Sequence, residues 1–227
     1  MRLYDCELKF HDNLFYETRT LGRLYETGRL LHNIALCYAL GFAQTSYHHA
    51  TDAPSYATEL APLNAAGVYV TPAGGENISY GVHTFKYGGE VNAVFMERSN
   101  TNLPSYGRAK EIMVNSSFRF AVLSEPALAF PHWVRMGLWM SKARLNVTEI
   151  ALQPLAGGEY TVSAYPLNPR DLPDTAQLKL FDLVSMRPSS LVENALIEAP
   201  AWWQGEYPEK HPKAGRFYLP AGMQHRI

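Results

Sequence analysis

The chain has 227 residues, of which 47% are hydrophobic, 12% aromatic and 18% charged, so it can bury the core of one generous domain. This composition excludes disordered, collagen-like and coiled-coil proteins, because each of them requires a compositional bias. Lys and Arg number 20 and Asp and Glu 21, for a net charge of -1. A polyanion must therefore bind to a local patch and not to the protein as a whole.

The first element predicted along the chain is a strand. Between Tyr4 and Phe10, apolar residues alternate with charged ones, which is the two-residue period of a half-buried strand. Apolar residues then recur at three- and four-residue steps, which predicts a helix from near Thr27, a possible cap, to Gly41. Arg19, Arg23 and Arg29 would cluster on and just before its N-terminus, where free N–H groups and the helix dipole favour a phosphate.

The middle of the chain is predicted to be a long loop followed by strands. Ala43 to Leu63 is polar, aromatic and proline-containing, as loops are, and no role is assigned to it. Gly74-Gly75 and Gly88-Gly89 are expected to be hairpin turns between strands. Ser99 to Gly107 reads as a loop. The predicted strands are Gly67–Thr71, Ile78–Tyr87, Val91–Glu97 and Ile112–Leu123.

The C-terminal half adds further strands and an irregular connector. His132 to Arg144 is compatible with a short helix or a strand–turn–strand, since Gly137 disfavours a regular helix. The remaining predicted elements are a hairpin of Val147–Leu152 with Glu159–Ala164, a connector at Tyr165–Pro173, a strand at Leu178–Leu183 and a helix at Leu191–Ala199. Such an order predicts a mixed α+β protein with an excess of strands.

Cysteine and hydropathy patterns suggest a cytoplasmic protein. Cys6 and Cys37 are too few for a disulfide framework and do not stand at metal-ligand spacing, so neither a metal nor a cofactor is expected. The first ten residues carry charges where a signal peptide needs an apolar stretch. The most apolar run, Leu30 to Ala43, is too short to span a bilayer.

Charge is distributed unevenly. From Arg98 to Arg144 there are seven basic residues against two acidic ones, whereas from Leu145 to Pro200 there are three basic and seven acidic residues. This asymmetry suggests two kinds of partner, one of them anionic, although random variation of the surface is the alternative.

The grouping of basic and aromatic residues favours single-stranded RNA. Arg98, Tyr106, Arg108 and Lys110 lie in or beside a predicted loop, and Trp139 lies among the basic residues of Arg135–Arg144. Cations hold phosphates and aromatic rings stack on unpaired bases. Trp139 is equally compatible with a core position, and each cation taken singly with a solvated surface charge.

One catalytic alternative is a metal-independent endoribonuclease. Tyr47, His48 and His49 are adjacent, and histidine transfers protons near neutral pH. Two adjacent histidines in a polar loop are also typical of a solvated surface.

Several longer strings resemble one known family. They are HDNLFY and GRLYETGRLLHNIALCYALG (His11–Tyr16 and Gly22–Gly41), RMGLWMSKAR (Arg135–Arg144), YPLNPRDLP (Tyr165–Pro173) and SMRPSSLVENA (Ser185–Ala195). In this order they resemble the small RAMP-type subunit of the type I-D CRISPR Cascade complex, which holds the 5′ handle of the guide RNA.

The resemblance implies a single RAMP domain over residues 1–227 with a ferredoxin-like (RRM-like) core. Inserted hairpins would elaborate that core, and one within residues 88–125 would act as a thumb over the RNA. It implies a non-catalytic subunit between the large subunit and the repeated backbone subunit, near the PAM side of the target DNA, with no membrane contact.

The resemblance and the charge pattern together nominate ten RNA-binding residues. Six lie in or beside the matching strings, namely Arg19, Arg23, Arg29, Arg135, Lys142 and Arg144. Four come from composition alone and would belong to the thumb, namely Arg98, Tyr106, Arg108 and Lys110.

Overall fold

A computed structural model describes residues 1–45, 53–86 and 106–226 of the chain. These residues form two helices, α1 (Asn33–Ala39) and α2 (Tyr56–Ala65), a 3₁₀ turn at Pro169–Asp171, and strands. The strands are β1 (Arg2–Phe10), β2 (Arg19–Leu21), β3 (Leu24–Glu26), β4 (Leu30–Leu31), β5 (Val68–Val70), β6 (Ala73–Gly75), β7 (Tyr80–Lys86), β8 (Tyr106–Ile112), β9 (Ser117–Ser124), β10 (Trp133–Met136), β11 (Ser141–Val162), β12 (Gln177–Val184), β13 (Leu191–Glu206) and β14 (Arg216–Pro220).

Two sheets contain these strands. The larger runs in the order β12-β13-β11-β1-β9-β6-β4, with β10 on β11, β14 on β13 and β5 on β9. The smaller runs β2-β3-β8-β7, with β3 and β8 parallel. The predicted mixed protein with an excess of strands is confirmed. The ferredoxin-like core stays a prediction, as do the single domain and the thumb. In the described part of the chain, no helix is long and apolar enough to cross a membrane.

Strand β1 lies at the centre of the larger sheet, antiparallel to β9 on one side and to β11 on the other. Its predicted alternation is confirmed on one face, where Cys6, Leu8 and Phe10 join a core under α1 and α2. The other face is not simply solvated, because a second core, which includes Leu3 and Trp202, covers its N-terminal half. Burial of both faces is what places Asp5 inside the protein.

The helix predicted from Thr27 to Gly41 is wrong at its N-terminal end. Residues 19–31 form the short strands β2, β3 and β4, and the Thr27 hydroxyl donates to the backbone oxygen of Tyr16 at 2.9 Å. The helix begins at Asn33, where His32 is the cap and its Nδ1 accepts from the amide of Ile34. Apolar residues from three successive strands had mimicked a helical spacing.

The loop predicted over Ala43–Leu63 is also wrong in part, because α2 occupies its second half. Only Leu60 and Leu63 of this helix are buried, and Pro62 lies within it. Two buried leucines among alanines and a few polar residues produce almost no periodic signal, so tertiary packing on β5 decides this helix.

The predicted hairpin of Val147–Leu152 with Glu159–Ala164 is a single strand, β11, which pairs with β1 and then with β13. A Cβ added to Gly157 would lie 2.9 Å from the carbonyl oxygen of Pro200 on β13. Glycine at this position therefore permits a close approach of two strands and does not form a turn.

Two other assignments in the chain need the same correction. Leu191–Ala199, predicted as a helix, belongs to β13, where Ala195, Ile197 and Ala199 are buried at a spacing of two. Gly74-Gly75 lies in β6 and not in a turn. Gly88-Gly89 and the strand Val91–Glu97 lie outside the described residues.

The other strand predictions agree with the structure. The predicted strand Gly67–Thr71 contains β5, Ile78–Tyr87 contains all of β7, and Leu178–Leu183 lies within β12. Ile112–Leu123 covers the end of β8, a turn and most of β9. His132–Arg144 is a strand–turn–strand, formed by β10 and the beginning of β11.

Candidate nucleic-acid interface

Three predicted cations, Arg19, Arg108 and Lys110, lie on one face of the smaller sheet. Arg19 is in register with Glu26, and Glu26 with Lys110, and residues opposite each other on paired strands share a face. Glu26 accepts from Lys110 Nζ at 2.6 Å and also forms an ion pair with Arg19. Hydrogen bonds from Lys110 and then Arg19 lower the pKa of Glu26. A carboxylate therefore already compensates two of these cations.

A groove of about 390 Å³ adjoins this face and brings distant parts of the sequence together. Arg29, Tyr80 and Met186 are among the residues that line it. Arg29 forms an ion pair with Glu193. The groove joins the segment Gly22–Gly41 to the segment Ser185–Ala195, but its cations are again paired.

The helix N-terminus predicted at Arg19, Arg23 and Arg29 is not formed by these residues. Arg19 is on β2, Arg23 is in the tight turn to β3 beside Gly22, whose φ is 62°, and Arg29 precedes β4. That placement of the phosphate site is wrong, because the helix begins only after these three residues.

A second group of cations lies on the hairpin of β10 and β11. Trp133 is in register with Arg144, and Arg135 with Lys142. Val134 and Met136, which alternate with Trp133 and Arg135, are buried, so these four side chains face outward. The next strand, β1, adds Lys9 in register with Arg144. We call these five residues (Lys9, Trp133, Arg135, Lys142 and Arg144) the hairpin face.

The cations of the hairpin face differ from those of the smaller sheet in their partners. Within the described ranges, none of Lys9, Arg135, Lys142 and Arg144 forms an ion pair. Lys142 Nζ lies 4.0 Å from the centroid of the Trp133 ring, and the ring of His11 meets that indole edge-on at 5.0 Å. An exposed tryptophan beside uncompensated cations is suited to a phosphate backbone with unpaired bases.

The turn of the hairpin presents Trp139 at its tip. Trp139 is 50% exposed and stacks on Phe15, with ring centroids 4.9 Å apart. Gly137 has a φ of 79°, and the amide of Leu138 donates to the backbone oxygen of Phe15 at 2.8 Å. Arg135 donates to the Met140 carbonyl oxygen at 2.9 Å across the turn. These contacts exclude a core position for Trp139 and fix the ring in place.

The nominated residues thus form two groups on different sheets. Arg19, Arg108 and Lys110, with Arg23 in the turn between β2 and β3, belong to the smaller sheet, and Arg135, Lys142 and Arg144 belong to the hairpin face. Arg29 precedes β4 of the larger sheet and lines the groove that adjoins the smaller sheet. The backbone of Tyr106 begins β8. Arg98 and the catalytic alternative, Tyr47, His48 and His49, lie outside the described residues.

Sequence reasoning missed Trp133 and misread Arg119. The alternation of Trp133 and Arg135 with the apolar Val134 and Met136 indicates that Trp133 faces outward, but only if the segment is a strand. The sequence left His132–Arg144 open between a helix and a strand–turn–strand, so this indication could not be used. Arg119 had been counted with the basic segment, yet its side chain is only 5% exposed and forms ion pairs with Asp5 and Glu76. No pattern in the sequence distinguishes this buried arginine from the exposed ones.

Over residues 1–45, 53–86 and 106–226, no three His, Cys, Asp or Glu side chains lie together in a way that could hold a metal ion.

The fold and this surface define a strand-rich mixed protein that presents a basic and aromatic hairpin on a large curled sheet. Residues 1–227, the whole chain, match the family model for the type I-D CRISPR-associated protein Cas5/Csc1. The chain belongs to this family, as the resemblance of its strings had predicted, and a role in a type I-D Cascade complex follows. A comparison with curated proteins gave no match.

Proposed function

We propose that this chain is a non-catalytic subunit that binds the 5′ handle of the guide RNA in a cytoplasmic type I-D Cascade complex. The observation that carries this proposal is the hairpin face, where Arg135, Lys142 and Arg144 lack any carboxylate partner in the described chain. Arg19, Lys110 and Arg29 are compensated by Glu26 and Glu193, so they would contact RNA only after exchanging partners. The remaining nominated residues, Arg23, Arg98, Tyr106 and Arg108, belong to the same proposal.

A ferredoxin-like core is part of the proposal. Four strands lie in the order β11-β1-β9-β5, neighbours are antiparallel, and both helices fall between β1 and β5. This order fits a β-α-β-β-β version of that fold. The second helix of the full motif would lie between β9 and β11, where the described residues form β10 instead.

Protein neighbours would occupy other surfaces. Strand β12 ends the order of the larger sheet and exposes Leu180 and Leu183 to solvent. An apolar strand at a sheet edge pairs readily with another chain. Such a surface would suit the large subunit or the repeated backbone subunit, with target DNA near the PAM reached through the assembled complex.

Co-purification tests this function. The tagged chain would be expressed with the neighbouring genes of its locus, and the nucleic acid that accompanies it would be extracted and sequenced. We expect short RNAs with one common 5′ tag and variable bodies. A complex that assembles without RNA would refute handle binding, and a chain that captures no large partner would refute the subunit role.

A charge variant makes this test specific to the hairpin face. Arg135→Ala, Lys142→Ala and Arg144→Ala together should reduce the RNA recovered per protein. The matched control removes three exposed cations that lie elsewhere in ion pairs, Arg2→Ala, Lys179→Ala and Arg216→Ala. Equal RNA recovery from both triple variants would mean that RNA binds to a surface other than the hairpin face.

The alternative is a metal-independent endoribonuclease that uses Tyr47, His48 and His49. It predicts cleavage of CRISPR repeat RNA by the chain in the presence of EDTA, and loss of cleavage in His48→Ala or His49→Ala. Intact repeat RNA after incubation with the purified chain would favour the non-catalytic subunit.

A further inference from the structure

A cavity of about 470 Å³ lies between the smaller sheet and the tip of the hairpin. Its volume is in the range of small-molecule sites. Side chains from four parts of the chain meet there, namely Asp12, His83, Glu111, Arg135, Trp139 and Ser141. Of these, only Arg135 belongs to the residues nominated for RNA binding.

The wall of the cavity is a fixed aromatic ring. One face of Trp139 is covered by Phe15 at 4.9 Å, and half of its surface remains exposed. The hydrogen bond from Leu138 to Phe15 and the one from Arg135 to Met140 hold the turn that carries the ring. A ring held in this way can accept a planar ligand without first losing side-chain freedom.

The polar groups of the cavity include two carboxylates that accept hydrogen bonds. Glu111 is 7% exposed, and its Oε1 accepts from Asn13 Nδ2 at 3.2 Å. Asp12 Oδ2 accepts from the backbone amide of Lys142 at 2.9 Å. Neither carboxylate has an ion-pair partner among the described residues. The ligand that suits them is planar and donates N–H groups.

We infer that this cavity binds one unpaired nucleobase with an exocyclic amino group, that is adenine, cytosine or guanine and not uracil. The base stacks on Trp139, and its amino group donates to Glu111 or Asp12, as amino groups of bases do to carboxylates. Its phosphate lies toward Arg135 and the rest of the hairpin face. This inference rests on the proposed function, because it takes the RNA on the hairpin face as its source of bases.

The test measures the affinity of the full-length chain for labelled octamers of rC, rA and rU by fluorescence anisotropy. We expect rC and rA to bind roughly tenfold more tightly than rU, the size of discrimination that one hydrogen-bonded base edge produces. Trp139→Leu should weaken the binding of all three octamers roughly tenfold, because every base loses its stacking partner. Trp203→Leu, on β13 and outside the cavity lining, is the tryptophan control.

Glu111→Gln gives a readout that simple destabilisation would not produce. Glutamine replaces the charged acceptor by a weaker amide oxygen and adds an N–H donor that can bond to the O4 atom of uracil, so the preference for rC over rU should fall. Circular dichroism and thermal melting would establish that each variant is folded. If Glu111→Gln is unfolded, Asp12→Asn at the rim of the cavity replaces it with the same expected change.

The outcomes separate this inference from the function on which it rests. Equal binding of rC and rU by the wild-type chain, with binding still lost in the triple charge variant of the hairpin face, would overturn the base pocket and leave RNA binding intact. Failure of every octamer to bind, together with no effect of the triple variant on the RNA recovered by co-purification, would overturn both the base pocket and RNA binding by the hairpin face.

Discussion

The guanidinium of Arg119 forms an ion pair with the carboxylate of Asp5 inside the larger sheet, where the two side chains are only 5% and 1% exposed. His211 Nε2 lies 2.9 Å from the same carboxylate, and the Tyr165 hydroxyl donates to it at 2.8 Å. Glu76 accepts from Arg119 Nε at 2.8 Å. These contacts tie the central strands β1 and β9 to the C-terminal part of the chain.

Removal of one charge from this buried cluster should destabilise the protein strongly. Asp5→Asn leaves the buried Arg119 short of a counter-charge, and we expect a loss of about 3 kcal/mol or more in the free energy of unfolding. Urea denaturation followed by circular dichroism measures it.

The control for this variant is an exposed ion pair of the same sheet. Glu149→Ala removes the partner of Arg2, and both side chains are about half exposed. Its effect should be below about 1 kcal/mol, because solvent screens such pairs. Similar losses in the two variants would mean that the buried cluster does not have the stabilising role assigned to it.

Stability should fall as the pH is lowered from 7 to 4, because two buried histidines resist protonation. Burial lowers the pKa of His32 and of His225 to about 4. Unfolding raises both toward 6.5, so the stability they contribute is present above pH 6.5 and is lost as the pH falls toward 4. Burial also raises the pKa of Asp171 to about 6, which acts in the opposite direction and stabilises the fold as that carboxyl is protonated.

The balance of these three groups can be measured. Between pH 7 and 4, protonation of the two histidines in the unfolded chain should lower the free energy of unfolding by roughly 6 kcal/mol. Protonation of Asp171 in the folded chain should raise it by roughly 2 kcal/mol, which leaves a net decrease of roughly 4 kcal/mol. Asp171→Asn should steepen the loss, and His225→Gln should nearly abolish it. Thermal melting across this pH range provides the measurement, and a flat profile in the wild-type chain would contradict the prediction.

The salt dependence of RNA binding should show how many phosphates the cations of the hairpin face contact. Three phosphate contacts on single-stranded RNA contribute about 2 to the slope of log affinity against log salt concentration. Arg135→Ala, Lys142→Ala and Arg144→Ala together should reduce the magnitude of the slope by about that amount, as titrations at several KCl concentrations would record. An unchanged slope, with weaker binding, would mean that these residues act on folding and not on phosphates.

Two glycines with similar positive φ angles offer a test of the hairpin tip. Gly137 and Gly41 have φ values of 79° and 74°. A Cβ at Gly137 would lie 2.7 Å from Leu14 Cδ1 and 2.8 Å from the Phe15 carbonyl oxygen, whereas nothing lies within 4 Å of one at Gly41. Substitution of either glycine by alanine costs about 1 kcal/mol because of the positive φ. Only the alanine at position 137 adds a steric clash.

Gly137→Ala should therefore lower the free energy of unfolding by about 2 kcal/mol more than Gly41→Ala does. It should also displace Trp139 from Phe15. The measurements are urea denaturation and RNA affinity for both variants. Wild-type RNA affinity in a destabilised Gly137→Ala chain would show that the tip does not contact RNA.

The amino-acid sequence alone determined those features that depend on local pattern. The alternation of Tyr4 to Phe10 identified β1, and short apolar runs bounded by turn residues identified β5, β7 and β12, since strand side chains repeat every two residues wherever the strand lies. The family strings were also readable without a structure, and they identified the family correctly.

Tertiary structure decided which charges are free and which elements form where local signals are weak. Arg119, Arg19 and Arg144 look alike in the sequence, yet the first is buried against Asp5, the second is paired with Glu26 and the third has no ion-pair partner among the described residues. Their partners lie on other strands, and pairing across strands depends on the register of the sheet and not on sequence spacing. Pairing across strands also decides that Leu191–Ala199 is a strand. Its apolar residues are compatible with the period of a helix and with that of a strand, but β11 and β12 pair with it on both sides.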